Sequence, residues 1–261
     1  MDLKYWYRQS ANKPLYPDIE WSKPEQRSRA GKLAIIGGNK LGFASVGEAY
    51  TTAQSIGVAE LKVLLPDCLR KTIPASITDA IFGASNPSGG FARTAINEIK
   101  AVGEWSDAVL LIGDSGRNAE TAILYEDFIL DYSGQLTVTR DAIDLIINNP
   151  KLLVERPNTL IVVSFAQLQK LFQSVYYPKV LTFSMQLVNL VEVLHKFTIS
   201  YPLTVAVLHK DNILVSNAGI VSSTIWNNPM AIWRGTTATN AAVYQMWHPN
   251  KPLEAVTTSL F

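Results

Sequence analysis

Lys32-Leu33-Ala34-Ile35-Ile36-Gly37-Gly38 is a short apolar run that stops on two glycines. Such a run is strand-length rather than helix-length, and the glycine pair marks a tight turn into the next element. Val46 to Ile56 then has helical character, and Leu61-Lys62-Val63-Leu64-Leu65 supplies a second strand, which completes a βαβ unit. The alternation continues. Ala108-Val109-Leu110-Leu111-Ile112 stops at Gly113 before a helix-like stretch from Ala119 to Leu130. Gln135 to Val138, Thr159 to Val163 and Thr204 to Leu208 are further strand runs, with an apolar-periodic helix from Met185 to Phe197 between the last two. Near-continuous apolar strands alternating with helices predict a mostly parallel sheet covered by helices on both faces. Ile213-Leu214-Val215 and Gly219-Ile220-Val221 read as a hairpin around Ser216-Asn217-Ala218.

The 261 residues, 48% of them hydrophobic, can bury the core of one α/β domain. Residues 31–261 are read as that domain. Residues 1–30, with Pro14, Pro17 and Pro24 and no sustained period, are read as an irregular N-terminal strap lying against the first strand, pinned by Tyr5, Trp6, Tyr7 and Trp21. Asn86-Pro87-Ser88-Gly89-Gly90 reads as an exposed loop inside the domain. A net charge of +1 offers no basic field for nucleic acid. One cysteine, Cys68, excludes an intramolecular disulfide, and with three scattered histidines it supplies no zinc cluster, so no metal ligands are assigned. Neither a signal-peptide apolar region nor a run near the ~20 residues of a membrane span occurs. A cytoplasmic protein with small-molecule partners is expected. His195, on an apolar helical stretch, is read as structural.

The second informative run is Asn227-Asn228-Pro229-Met230-Ala231-Ile232-Trp233-Arg234-Gly235-Thr236-Thr237-Ala238-Thr239-Asn240-Ala241-Ala242. It reads as a loop feeding small and hydroxyl residues into a helix from Ala241 to Trp247. Backbone N–H groups and the positive end of a helix dipole bind phosphate, and Thr236, Thr237 and Thr239 add hydroxyl donors. The plain alternative is a Thr/Asn-capped helix start. Ile112-Gly113-Asp114-Ser115-Gly116-Arg117 closes another strand, where glycines let a backbone approach a ligand. Asp114 there is either a working carboxylate or a cap for the helix that starts near Asn118.

Taken in order, these pieces resemble the ADP/ATP-dependent NAD(P)H-hydrate dehydratases of the ribokinase-like superfamily over roughly residues 24–261. Gly31 to Phe43 resembles that family's G-(R/K)-x-L-(I/V)-(I/V)-G-G-S-x-x-(Y/F) opening, and Thr139-Arg140-Asp141-Ala142-Ile143-Asp144-Leu145 its D-A-D-A-L-N-L. His248 to Val256 is similar to its closing turn and helix. The resemblance implies a three-layer ribokinase-like α/β fold. It also implies ATP or ADP, with Mg, as cofactors, and a homo-oligomer. Nucleotide contacts are implied at Gly235, Thr236, Thr237, Ala238, Thr239, Asn240, His209 and Lys210. Substrate contacts are implied at Gly37, Gly38, Asn39, Val46, Gly113, Ser115, Gly116, Ser164 and Gln167.

The departures fall on the chemistry. Ala238 stands where N-P-x-x-(A/T)-x-G-(S/T)-G-D has its acid, Gln167 where T-P-H-x-x-E has its glutamate, and no histidine precedes it. A neutral amide keeps the acceptor and loses proton transfer. In Val207-Leu208-His209-Lys210-Asp211-Asn212, His209 takes the place of the family's lysine and the two glycines of L-K-G-A-G-T are gone. Asp114 and Asp141 are the candidate replacement acids. The expected function is an NAD(P)H-hydrate dehydratase-like nucleotide binder with weak or lost lyase activity. The alternatives are a non-catalytic nucleotide- or partner-binding pseudoenzyme and a small-molecule kinase of the carbohydrate kinase family. Ala238→Asp is expected to raise activity where the rest of the cradle is intact, with Ser164, Gln167 and His209 standing against full rescue.

Overall fold

The computed structural model describes residues 3–10 and 13–261, so residues 1, 2, 11 and 12 of the expected strap lie outside the described residues. Ten strands form one sheet: β1 (Trp6–Gln9), β2 (Lys32–Gly37), β3 (Glu60–Pro66), β4 (Ala80–Gly83), β5 (Ala108–Gly113), β6 (Gln135–Thr139), β7 (Thr159–Ser164), β8 (Thr204–His209), β9 (Asn212–Asn217) and β10 (Ile220–Ile225). Their order is β1-β10-β9-β8-β7-β6-β5-β2-β3-β4. Among the described residues only the β8–β9 and β9–β10 pairings are antiparallel. This is the mostly parallel sheet that the strand runs predict.

Alternation within the strands sorts the core into two faces. Leu33 and Ile35 of β2 point to one apolar cluster, and Ala34 and Ile36 to the other, all fully buried. The first face is covered by α2 (Ala44–Ile56), α9 (Pro229–Arg234), α10 (Thr236–Trp247) and α11 (Pro252–Thr258). The second is covered by α3 (Ile96–Trp105), α4 (Ala119–Asp131), α5 (Asp141–Ile146), α6 (Lys151–Val154), α7 (Phe165–Ser174) and α8 (Leu187–Ser200). The result is three layers. The expected hairpin forms, but Ser216 and Asn217 belong to β9 and the turn is Ala218 and Gly219, whose φ values of 48° and 81° give the twist that joins two adjacent strands.

The N-terminal segment departs from expectation. Residues 6–9 form a strand that pairs in parallel with β10, at the far edge of the sheet rather than beside its first βαβ unit. Gln9 is buried there and donates from Nε2 to Thr257 O at 2.8 Å, while Trp6 Nε1 donates to Ser223 Oγ at 2.9 Å. Tyr5 stacks on His195 with centroids 3.6 Å apart, and His195 Nδ1 bonds Gly219 O, a structural role as read. Trp21, at the end of α1 (Pro17–Trp21), is 87% exposed and pins nothing; Ile19 is the buried residue of that turn. The Asn86–Gly90 loop is not simply exposed either. Asn86 is buried and donates to Phe91 O at 2.8 Å and to Thr121 Oγ1 at 3.2 Å, which ties the loop to α4.

Candidate functional site

From β2 the chain builds outward to β3 and β4, then returns to place β5 on the opposite side of β2 and continues through β6, β7 and β8. The sheet reverses its order at β2 and β5, and the crevice outside the carboxyl ends of strands at such a point is where open α/β sheets bind ligands. Gly37 and Gly113 end those two strands. A Cβ on Gly37 would collide with the Gly113 carbonyl, and Gly38 N–H donates to that carbonyl at 2.9 Å. A Cβ on Gly235 would meet Ile112 Cδ1 at 2.5 Å and lie 3.7 Å from Arg140 Cδ. Three glycines far apart in sequence therefore meet at one rim.

The carboxylates of this rim are all engaged. Asp141 opens α5, and its side chain accepts backbone N–H groups from Asp114 (2.6 Å), Ser115 (2.9 Å) and Gly116 (3.1 Å). The Gly113–Gly116 loop, read as a substrate contact, thus aims its amides at the chain's own carboxylate. Burial nevertheless pushes the Asp141 carboxyl up from its ordinary value, aided by the Asp114 charge and opposed by the backbone N–H groups of Asp114 and Gly116 and by the Arg140 charge. Asp114 has the rare φ of 55° and caps α2 rather than α4, accepting from Ser45 N–H at 2.8 Å and Ser45 Oγ at 2.6 Å; Asn118 caps α4. It also pairs with Arg140 Nη2. Burial pulls the Asp114 carboxyl upward, but the Ser45 donors and the Arg140 guanidinium outweigh it and hold the group below its ordinary value.

Arg140, between β6 and α5, is the residue that motif reading passed over. Its φ of 57° and ψ of −141° lie in a region that suits glycine, a strain of ~1–3 kcal/mol. Among the described residues its Nε is buried without a hydrogen-bond partner. The only signal in the sequence is a long cation placed directly after a strand end.

Several residues read as ligand contacts do structural work instead. Val46 is fully buried in the apolar core under α2. Ser164 caps α7 in a reciprocal box with Gln167, whose Nε2 donates to Arg140 O at 2.7 Å and Asp144 Oδ2 at 3.1 Å. His209 is buried, with Nε2 3.0 Å from Met185 O and its ring 4.7 Å from that of Phe165, so it is not placed as a phosphate ligand. Asn39 Oδ1 accepts from Leu41 N–H at 2.6 Å, and Ser115 Oγ bonds Tyr125 Oη at 2.7 Å inside the core. The expected loop at residues 235–240 is already helix: α10 begins at Thr236, directly after Gly235 with φ 89°. Thr237, Ala238 and Thr239 are buried, and Thr239 Oγ1 donates to Gly235 O at 2.9 Å, so these hydroxyls do not line the cleft as donors. What remains for a ligand is the Thr236 amide at the start of α10, with Thr236 and Asn240 half-buried.

Beside that helix start lies a hollow of about 520 Å³ lined by Phe165, Phe183, Leu208, Ile232, Trp233 and Lys210, with Ser164 at its edge. Its size and apolar, aromatic walls match those of small-molecule pockets. For a divalent cation the donors do not fit. Among the described residues no three His, Cys, Asp or Glu side chains gather in a metal-binding group, and Asp114 and Asp141 are already engaged. No described helix is long and apolar enough to cross a membrane.

No family model and no curated protein matches the sequence. Solved structures do match. A ribokinase-like superfamily protein from Enterococcus faecalis V583 superposes with a TM-score of 0.74 at 14% identity, covering 99% of this chain and 87% of its own. The ADP/ATP-dependent NAD(P)H-hydrate dehydratase of Bacillus subtilis, co-crystallised with ATP/Mg2+ and soaked with CoA, gives 0.63 at 12% identity, covering 96% and 87%. A phosphomethylpyrimidine kinase from Clostridium difficile 630 gives 0.54 at 14% identity, covering 88% and 97%. The chain has the ribokinase-like α/β fold, and at these identities the likeness speaks for the fold alone.

Proposed function

We propose that this protein binds an adenine nucleotide at the rim between the carboxyl ends of β5 to β8 and the start of α10, and has lost the turnover of the hydrate dehydratases it resembles. The observation that carries the reading is one juxtaposition. An aromatic-walled hollow suited to a flat base includes Trp233, three residues before the Thr236 amide that opens α10, while each carboxylate at the glycine rim is held by the chain itself. Trp233 and Phe183 would face the base, and the amide of Thr236, the residue of that first turn that keeps exposed surface, its phosphates. Neither water loss nor phosphoryl transfer has a free acid or base here, which weighs equally against the kinase alternative. Magnesium, which the resemblance to the dehydratases implies, finds no cluster of three acidic, His or Cys side chains among the described residues and would travel on the nucleotide's own phosphates.

A thermal-shift series with adenosine, AMP, ADP, ATP and NADPH tests this. At a hundred times its Kd a ligand adds about 2.7 kcal/mol, or roughly 5–10 °C for a chain of this size. Adenosine and ADP are expected to shift the wild type, and Trp233→Ala, a half-exposed position, to lose the adenosine shift at unchanged unliganded Tm. No shift at millimolar adenosine and ADP would sink the proposal.

A further inference from the structure

We infer that Arg140 is the phosphate ligand of this rim and stands in place of a metal ion, so that polyphosphate binds here without a divalent cation. The inference rests on the nucleotide reading above for its biological ligand, but it concerns the anion site alone and is testable without the base.

Arg140 packs beside two of the three glycines: its Cβ would lie 3.0 Å from a Cβ on Gly113. Its Cδ lies 3.7 Å from where a Cβ of Gly235 would stand, so the side chain runs beneath the residue that starts α10. A guanidinium offers five N–H donors in a planar fork. Here Nη2 takes Asp114, and Nε is buried without a partner among the described residues. A phosphate is a charged acceptor suited to the part of that fork that Asp114 leaves open. The amide of Thr236, which lacks an intrahelical partner and belongs to a half-buried residue, sits on the next residue of the same turn. The backbone of Arg140 is held in its glycine-like conformation from both sides: Gln167 Nε2 donates to its carbonyl, and Asp141, the next residue, is fixed by three amides.

The same groups argue against a metal. A divalent cation at this rim would have to strip Asp141 from its amides or Asp114 from Ser45 and Arg140, and it would sit beside a fixed positive charge. Asp114 is instead the standing counter-ion of Arg140. The Ser45 N–H and hydroxyl keep it in place when the guanidinium turns part of its fork to a phosphate.

Calorimetry with sodium tripolyphosphate and, separately, with adenosine tests the inference, each in EDTA and in excess magnesium. Tripolyphosphate is expected to bind in EDTA, and no more tightly with magnesium. Arg140→Gln is expected to weaken it at least about tenfold, with Arg140→Lys intermediate and Asp114→Asn tighter than wild type. Arg140→Gly suits the observed φ and serves as the variant whose folding is not in question; it too should lose tripolyphosphate and keep adenosine. Tripolyphosphate binding that requires magnesium, that is unchanged in Arg140→Gln and Arg140→Gly, or that is absent from the wild type would overturn the inference. Loss of adenosine binding with Arg140-dependent tripolyphosphate binding retained would overturn the nucleotide reading and leave this one standing.

Discussion

Removing the Asp141 carboxylate should open the rim from inside, because three backbone amides depend on it and have no other acceptor. Asp141 Oδ1 serves Asp114 N–H, and Oδ2 serves Ser115 and Gly116 N–H. A hydrogen bond to a charged group contributes ~1.5–3 kcal/mol, and three that share two oxygens are not additive. Burial of the charge, which raises the Asp141 pKa, offsets part of the gain. The net loss for Asp141→Ala is therefore about 3 kcal/mol, or about 6–12 °C in Tm for a chain of this length. Asp141→Asn keeps one carbonyl for Ser115 and Gly116 and turns its NH2 toward the Asp114 amide, so it should lose about 1 kcal/mol. Formate supplies the missing carboxylate in solution. It should restore part of the Tm of Asp141→Ala and leave the wild type unchanged, since mass action stabilises only the variant that has room for it. An Asp141→Ala protein melting within ~2 °C of wild type, or one that formate does not touch, would refute the reasoning.

Two further outcomes follow from the same rim. Gly235→Val combines a left-handed φ of 89° with a Cβ pressed on Ile112, so a loss of about 2–4 kcal/mol in urea unfolding is expected; an unchanged midpoint would mean the helix start tolerates side chains. Asp114 is held below its ordinary pKa of 3.8, so it binds fewer protons folded than unfolded. Its contribution is complete above that value and fades as pH falls through the lower folded value, whereas Asp141, raised, acts with the opposite sign as pH rises past 3.8. The stability difference between wild type and Asp114→Asn should thus shrink toward acid, and a difference constant from pH 7 to pH 3 would contradict the assignment.

The parallel core was legible because each inner strand is apolar on both faces, as in Leu33 to Ile36, and ends on a glycine or polar turn. β1 and β4 were missed because four residues at a sheet edge carry no period: Trp6–Gln9 holds one buried residue, and Ala80–Gly83 also holds one. At the site, residue types alone did not distinguish ligand contacts from internal partners. Ser164 and Gln167 look like substrate groups in sequence, yet they satisfy each other at a helix start, and Asp141 looks like a free acid until the Gly113–Gly116 amides fold onto it. Arg140 escaped notice because its importance lies in a backbone conformation that its residue type does not advertise.

Position 238 brings fold and chemistry into conflict, and turnover decides between them. Ala238 has no exposed surface and belongs to the apolar cluster that holds Ile112, Ala241 and Val243, so its side chain faces the sheet and not the rim crevice. The expectation that Ala238→Asp returns activity is therefore reversed. A carboxylate there would be desolvated among apolar groups, with Arg140 already paired to Asp114, and should cost about 2–4 kcal/mol of stability. Loss of one well-placed catalytic group typically lowers rate ~10²-fold or more, and this chain has Ala238, Ser164 and Gln167 where the motifs of the dehydratases it resembles have an acid, a histidine and a glutamate. Recovery of NADPH absorbance from its hydrate, with ATP or ADP present, should be undetectable for the wild type and for Ala238→Asp alike. Turnover gained by Ala238→Asp at unchanged Tm would show that the first turn of α10 can rotate its buried face into the crevice, and robust wild-type turnover would return Asp114 and Asp141 to the role of working acids.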